Sequence, residues 1–259
     1  MFVIRLTFWG QAGFCLEYSS SRLITDPCLS DYVDRTCSTE SVVWKRAYAP
    51  PCTLADLRPD LILISHGHGD HLDPWTLSPY YQAGGTARIA VPAPVSEQAL
   101  ACSVPDSALI AAKAEEAFTE GSFTVLPIPC AHTDLHTDEN GNYQELSYLI
   151  SCGGKRIFFG GDLSLYDGLT ERLAELHPDI MLLPVNGRDY YLTAANIIGN
   201  TNCREAAELA KRCKAACLIP MHHDLYAING CRENWVREAA ADAGVPVRIL
   251  RCGEHIAFF

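Results

Sequence analysis

The sequence lacks any long apolar run, and no window approaches the roughly 20 apolar residues that a helix needs to cross a bilayer. It also lacks a basic N-terminal segment followed by an apolar helix, the pattern of a secretory signal. Residues Phe2–Phe8 instead alternate like a strand. We therefore expect no membrane contact and a cytoplasmic protein, in which the twelve cysteines are mostly reduced and buried.

Positive charge is scarce as well. The chain has 20 Lys and Arg against 31 Asp and Glu, which gives a formal net charge of −11. Nucleic-acid binding depends on clustered Lys and Arg, so a nucleic acid is excluded as the main partner. A small anionic substrate stays compatible with this charge if positive charge is focused locally, as bound divalent cations would do.

A linker rich in Pro, Gly and Ser is missing too, so the 259 residues are interpreted as one domain. The predicted elements follow a similar order in two parts of the chain, about residues 1–112 and 113–259. Each part begins with strands and continues with alternating strands and helices. Two sheets that pack face to face, each covered on its outer side by helices, make the expected fold an α/β four-layer αβ/βα sandwich.

Apolar runs, alternation and turn residues predict the individual elements. In the first part the predicted strands are Phe2–Phe8, Phe14–Tyr18, Arg22–Thr25, Leu61–Ile64 and Arg88–Val91, and the helices are Pro74–Gln82 and Pro94–Cys102. In the second part the strands are Glu115–Glu120, Phe123–Ile128, Glu145–Ser151, Arg156–Phe159, Ile180–Leu183 and Ala216–Ile219, and the helices are Leu169–Leu176 and Cys203–Lys214.

One stretch is dense in metal-competent side chains. His66, His68, Asp70 and His71 fall within six positions directly after the apolar strand Leu61–Ile64. A lone pair of histidines in a turn is often only a polar turn. Here a carboxylate and a third imidazole join them at a strand end, where open α/β sheets place their sites, and this combination predicts a metal site.

Three further strands end in residues of the same kind. His132, Asp162 and His222 each follow a predicted strand at a Gly or Pro break. Taken singly, each is typical of a turn or a capping residue. Together they predict two divalent cations. One would be held by His66, His68 and His132, the other by Asp70, His71 and His222, and Asp162 would bridge them. Each ion would keep an open position for water, as catalytic sites do.

The ordered set from His66 to His222 resembles the metallo-β-lactamase superfamily along the whole chain, which implies the αβ/βα sandwich. Segments elsewhere are similar to the L-ascorbate-6-phosphate lactonase group; these are Trp9–Phe14, Thr25–Ser30, Leu183–Asp189, Ile198–Asn200 and Ile219–His222. This second resemblance implies a phosphorylated sugar lactone or a related cyclic ester as substrate, and a homo-oligomer.

The ligand types suit zinc, manganese or iron(II), and the resemblance favours manganese. Asp70 is predicted to be catalytic as well as a ligand, because it could orient the attacking hydroxide and pass a proton to the leaving alkoxide. Asp26 is interpreted either as a turn residue or as the carboxylate that orients a ligand histidine, and the resemblance favours the second.

Arg188, in the loop that begins at Asn186, is predicted to bind a substrate phosphate or carboxylate through two parallel hydrogen bonds; the alternative is a solvated ion pair with Asp189. Asn186 and His223 are further candidates for substrate binding, although His223 could equally be a spare proton donor or a packing residue. The leading hypothesis is a dinuclear hydrolase of the lactonase type. A small-molecule phosphodiesterase and a non-catalytic metal-binding protein are the alternatives.

Overall fold

The computed structural model describes residues 3–258, and within this range the chain forms thirteen strands and eight α-helices. The strands are β1 (Ile4–Gly10), β2 (Gly13–Tyr18), β3 (Ser21–Thr25), β4 (Leu61–Leu63), β5 (Arg88–Pro92), β6 (Leu109–Ala112), β7 (Phe118–Glu120), β8 (Phe123–Pro129), β9 (Leu146–Cys152), β10 (Lys155–Phe159), β11 (Ile180–Pro184), β12 (Cys217–Met221) and β13 (His255–Phe258). The helices are α1 (Tyr32–Thr36), α2 (Leu54–Leu57), α3 (Pro74–Gln82), α4 (Ser96–Ala101), α5 (Leu169–Leu176), α6 (Tyr190–Ala194), α7 (Cys203–Arg212) and α8 (Glu233–Ala243).

The strands form two mixed sheets. The first sheet has the order β13-β1-β2-β3-β4-β5-β6 and the second has the order β12-β11-β10-β9-β8-β7. In both sheets an antiparallel part continues into parallel strands, β3 to β6 in the first and β10 to β12 in the second. The predicted sandwich of two sheets and two helical layers is confirmed.

Strand β4 shows why the layers form. Leu61 and Leu63 point into the core between the two sheets, where they join residues such as Phe159 of β10. Ile62 and Ile64 point the other way, into a core shared with α2, α3 and α4. All four side chains are fully buried. A strand that is covered on both faces has a continuously apolar sequence, because each face needs apolar side chains.

The opposite outer layer packs on the second sheet. Leu173 of α5, Leu209 of α7 and Val236 of α8 share a core with Met181 and Leu218 of that sheet. Helix α8 and strand β13 had not been predicted. Phe2, at which the first predicted strand begins, lies outside the described residues.

Strand β13 belongs to the second part of the chain by sequence, yet it pairs antiparallel with β1 in the first sheet. The two sheets are also joined by hydrogen bonds near their strand ends. The Tyr148 hydroxyl donates to the Ile64 carbonyl over 2.7 Å, and the Leu146 amide donates to the Ser65 carbonyl over 2.9 Å. These bonds fix the end of β4 against the second sheet, where the predicted ligands lie. In the described part of the chain, no helix combines the length and apolar character that crossing a bilayer requires.

Candidate metal centre

The loops after β4, β8, β10 and β12 meet at one edge of the two sheets. His66 to His71 follow β4, His132 follows β8, Asp162 follows β10, and His222 comes directly after β12. The carboxyl ends of parallel strands lie at one edge of a sheet, which is why residues so distant in sequence come together.

The two glycines of the His66–His71 loop are required for space. A Cβ at Gly67 would collide with the side chain of Gln98, and a Cβ at Gly69 would collide with the ring of Tyr32. Neither glycine has a positive φ. Gly161 differs, since it has a φ of +61° and its missing Cβ would lie against Ser65. Glycine is therefore required at these positions as much because the loops pack closely as because the backbone needs conformational freedom.

The imidazoles of the first predicted ligand set point at one another. The Nε2 of His66 lies 2.9 Å from the Nδ1 of His68, and the Nε2 of His132 lies 3.2 Å from that same Nδ1. His66 and His132 are buried. Burial lowers the pKa of His132 to about 4, and burial together with the neighbouring imidazole of His71 holds the pKa of His66 well below its usual value.

The second set surrounds the two carboxylates. The Nε2 of His222 lies 3.3 Å from the Oδ2 of Asp70, and the Nε2 of His71 lies 3.4 Å from it. Burial opposes charge on both acids, but the imidazoles around them outweigh it and hold the pKa of Asp70 and of Asp162 well below the usual range. Both carboxylates are therefore ionised at neutral pH.

Asp162 lies between the two sets. Its Oδ1 is 3.2 Å from the Nε2 of His71, and its Oδ2 is 3.4 Å from the Nε2 of His222 and 3.9 Å from the Nε2 of His132. Three overlapping groups have ligand atoms within 4.8 Å of one another: His66, His68 and His132; His66, His71 and Asp162; Asp70, His71 and His222.

The donor chemistry of this cluster fits divalent cations. Within residues 3–258, the Nε2 of His71 and the Oδ1 of Asp162 are buried and lie 3.2 Å apart, yet neither forms a hydrogen bond with the other or with any further group. Buried polar atoms without partners cost free energy, and imidazole nitrogens directed at one another are satisfied by a shared cation.

Asp26 is fully buried behind the cluster. Its Oδ2 accepts hydrogen bonds from the Ser65 hydroxyl over 2.5 Å and from the Nδ1 of His71 over 2.6 Å, and its Oδ1 accepts from the Ser65 amide over 2.7 Å. Because Nδ1 is held in this way, the Nε2 of His71 points into the cluster. This is the geometry of a carboxylate that orients a metal-binding histidine.

Comparison with known proteins agrees with this architecture. Residues 21–223 match the sequence model of the beta-lactamase superfamily domain, which covers most of the chain. The chain belongs to this superfamily. It is 28% identical over 267 residues to a UPF0173 metal-dependent hydrolase of Archaeoglobus fulgidus, covering 98% of this chain and 99% of that protein.

Two solved structures share the fold of this beta-lactamase superfamily domain. One is Igni18, described as a novel metallo hydrolase from Ignicoccus hospitalis, with a TM-score of 0.73 and 18% identity over 99% of each chain. The other is an isothiocyanate hydrolase from Delia radicum gut bacteria, with a TM-score of 0.75 and 17% identity over 98% of this chain and 99% of the other.

The structure of this superfamily member places the predicted substrate residues outside the cluster. The guanidinium of Arg188 forms two parallel hydrogen bonds to Glu205, of 2.8 and 2.9 Å, and a third to the Asn200 carbonyl. Its partner is Glu205 and not Asp189, which the alternative had named, and substrate binding by Arg188 stays a prediction. The Asp189 side chain instead caps α6 by accepting a hydrogen bond from the Leu192 amide.

His223 and Asn186 are likewise not among the three groups of ligand atoms. The ring of His223 is buried and stacks on Phe8, with centroids 5.7 Å apart, as its packing alternative predicted. The side chain of Asn186 bonds to Asn229 and Asn200. Asn186 therefore fixes neighbouring loops.

Sequence reasoning missed a role for Gln11 at the site, because this residue was considered only as part of the segment Trp9–Phe14 that resembles the lactonase group. Its side-chain Nε2 donates to the Oδ2 of Asp70 over 2.7 Å and lies 2.7 Å from the Nε2 of His222. Its carbonyl accepts the His222 amide over 2.8 Å. A buried residue at φ +54°, where glycine is usual, is the structural signal of this role; the sequence offers only the flanking glycines.

Proposed function

We propose that this protein is a metal-dependent hydrolase with two divalent cations that cleaves an ester-like bond, with a lactone as the substrate type. The contacts of Asp162 are the observation that supports this most. One carboxylate stands within 4 Å of His71 and His222, which belong to one ligand set, and of His132, which belongs to the other. The names of the relatives and the resemblance to lactonases support hydrolysis.

His66, His68 and His132 would hold one cation, Asp70, His71 and His222 the other, and Asp162 would contact both. Bound divalent cations supply an attacking hydroxide at neutral pH and polarise the scissile bond. Manganese and zinc both suit these nitrogen and oxygen donors, and iron(II) does as well.

Asp70 is the residue we assign to proton transfer. It lines the cavity above the cluster, its carboxylate is ionised, and the Gln11 amide orients one of its oxygens. An ionised carboxylate in that position accepts the proton of the attacking water. It then returns this proton to the leaving alkoxide as the ester bond breaks.

The test combines metal analysis with a substrate screen. Purified protein should contain about two transition ions per chain, and the manganese- or zinc-loaded form should open lactones. Asp162→Asn should lose at least one ion and most of the turnover, whereas Asp167→Asn, which changes an exposed aspartate, should retain both.

Unchanged metal content and activity in Asp162→Asn would contradict the proposal. Turnover of phosphodiesters without turnover of lactones would replace the lactonase by the phosphodiesterase. Bound metal without hydrolysis of lactones, phosphodiesters or thioesters would favour a non-catalytic metal-binding protein.

A further inference from the structure

A cavity of about 560 Å³ opens directly onto the candidate metal centre. Its floor is formed by His68, Asp70, His132, Asp162 and His222. Its sides come from two segments, residues 33–44 and residues 194–198. This volume is in the range of pockets that enclose small organic molecules. The part of a substrate that does not react would therefore lie between these two segments.

The first side is partly apolar and fixed in place. It presents Val33, Val42 and Trp44 to the cavity, together with Cys37, Thr39 and Ser41. The ring of Trp44 meets Tyr226 edge to face, with centroids 5.3 Å apart and the planes at 84°. The Trp44 amide donates to the Ser38 hydroxyl over 3.0 Å. The indole is thus held before any ligand arrives, which lowers the entropy lost on binding.

The second side is mainly apolar. It is lined by Ala194, Ala195, Ile197 and Ile198 together with Asn196, and Ile198 is 39% exposed. The Ile197 amide donates to the Leu192 carbonyl over 2.8 Å, and this bond ties the segment to α6. Apolar side chains from both segments therefore line the same cavity above the cluster.

No Lys or Arg is among the cavity-lining residues of the described range 3–258. Arg188 is paired with Glu205, and exposed Arg35 with Asp31 over 2.6 Å. Arg46 is 8% exposed and donates to the carbonyls of Cys28 and Ser30.

Lys45 is exposed and lies outside the lining. An anionic group on the non-reacting arm of a substrate would thus enter the cavity without a cationic side chain to pair with. Burying an unpaired charge against apolar walls is strongly unfavourable.

We propose that the cavity selects an uncharged substrate whose apolar arm, aromatic or branched alkyl, packs between Trp44 and Ile198, in place of a phosphorylated one. This inference rests on the proposed function, because it assumes that the reacting bond lies over the metal cluster. Trp44 and Ile198 are then specificity-determining residues.

Binding and hydrolysis are measured separately to test this. The binding probes are two lactams, which resist hydrolysis, with an arm that ends in phenyl or in 4-sulfophenyl, so that the pair differs in one negative charge. Calorimetry with the metal-loaded protein should show the phenyl lactam binding at least about tenfold more tightly. Trp44→Ala should weaken phenyl-lactam binding about tenfold. Ile198→Ala, at a half-exposed position, provides a second variant in case Trp44→Ala does not fold.

Trp235→Ala is the matched control, because Trp235 is 50% exposed on α8 and lies outside the cavity lining. Its binding of both lactams should equal that of the unmodified protein. Equal or tighter binding of the sulfonate, no binding of either lactam, or full affinity in both cavity variants would overturn the inference.

Hydrolysis of the two corresponding lactones distinguishes this inference from the proposed function. Selective binding of the phenyl lactam without opening of either lactone would support the inference and contradict the lactonase proposal. Opening of both lactones with a preference for the sulfonate would support hydrolysis and overturn the inference.

Discussion

At the scale of single residues, hydrogen bonds from residues behind the metal-binding side chains determine how those side chains point. Asp26 accepts hydrogen bonds from the Nδ1 of His71 and from the amide and the hydroxyl of Ser65. The Ser65 hydroxyl in turn lies 2.9 Å from the Nδ1 of His66. A single buried carboxylate thus orients two predicted ligands.

Asp26→Asn is expected to weaken metal binding by about 10- to 100-fold, because the amide accepts fewer hydrogen bonds and lacks the charge that aligns His71. Competition with a chromogenic chelator measures this affinity. Asp60→Asn is the control, since Asp60 also accepts a hydrogen bond from a backbone amide, that of Arg22, but is exposed and lies at the opposite end of β4 from the ligands. Equal affinities in the two variants would contradict this role of Asp26.

Gln11 should affect turnover more than metal content. Its amide donates to the ionised Asp70, and a hydrogen bond to a charged group contributes about 1.5–3 kcal/mol. Gln11→Ala is therefore expected to reduce kcat/KM at least tenfold while about two ions stay bound. Steady-state kinetics with metal analysis on the same sample checks this. If the ions are lost with the activity, Gln11 supports metal binding instead.

At the scale of elements, the loop that ends at α7 contacts Arg188, one of the residues that the sequence had assigned to substrate. The Asn202 side chain caps α7 by accepting hydrogen bonds from the amides of Arg204 and Glu205. The Glu205 carboxylate in turn accepts a hydrogen bond from the Asn202 amide. Glu205 also binds Arg188. A helix cap and an ion pair therefore fix this loop beside the cavity.

Asn202→Ala should lower the free energy of unfolding by about 1 kcal/mol, because two amides of α7 lose their acceptor. Urea denaturation of the metal-loaded protein measures the change. Glu208→Ala, on the exposed face of the same helix, should stay within about 0.5 kcal/mol of the unmodified protein. A loss in Asn202→Ala no greater than in Glu208→Ala would argue against the cap.

At the scale of the whole molecule, one core joins the two sheets. Phe8, Phe14 and Leu16 of the first sheet pack with Phe123 and Phe159 of the second, and all five are fully buried. Together with the pairing of β13 with β1, this supports the proposal of a single domain. Neither sheet can lose its partner without exposing that core.

We therefore expect a single cooperative unfolding transition. Tryptophan fluorescence and far-ultraviolet circular dichroism, recorded over the same denaturant series, should give coincident curves. Two separated transitions would show that the parts 1–112 and 113–259 fold independently.

Removal of metal should destabilise the whole fold, since the cluster ties loops from both sheets. A ligand that binds only the folded state stabilises it by about 4 kcal/mol when its free concentration is about 1,000 times Kd. Thermal unfolding before and after treatment with a chelator, with manganese or zinc added back as the control, measures this effect. An unchanged melting temperature would show that little of the binding free energy is coupled to folding.

The sequence by itself determined the order of the layers and most of the candidate metal centre. A run such as Leu61–Ile64 has to be covered on both faces, and His and Asp residues at successive strand ends have to meet where those ends meet. These are local signals, because the periodicity and the break residues are contiguous in the chain.

Only the tertiary structure decided what surrounds the cluster. Arg188 meets Glu205 seventeen positions away, Gln11 meets His222 across 211 positions, and Trp44 and Ile198 line the same cavity. Whether a guanidinium is free for substrate, or which walls a pocket has, depends on how loops pack against one another. The periodicity of the sequence does not predict loop packing, because these contacts join side chains that are remote in sequence and share no local pattern.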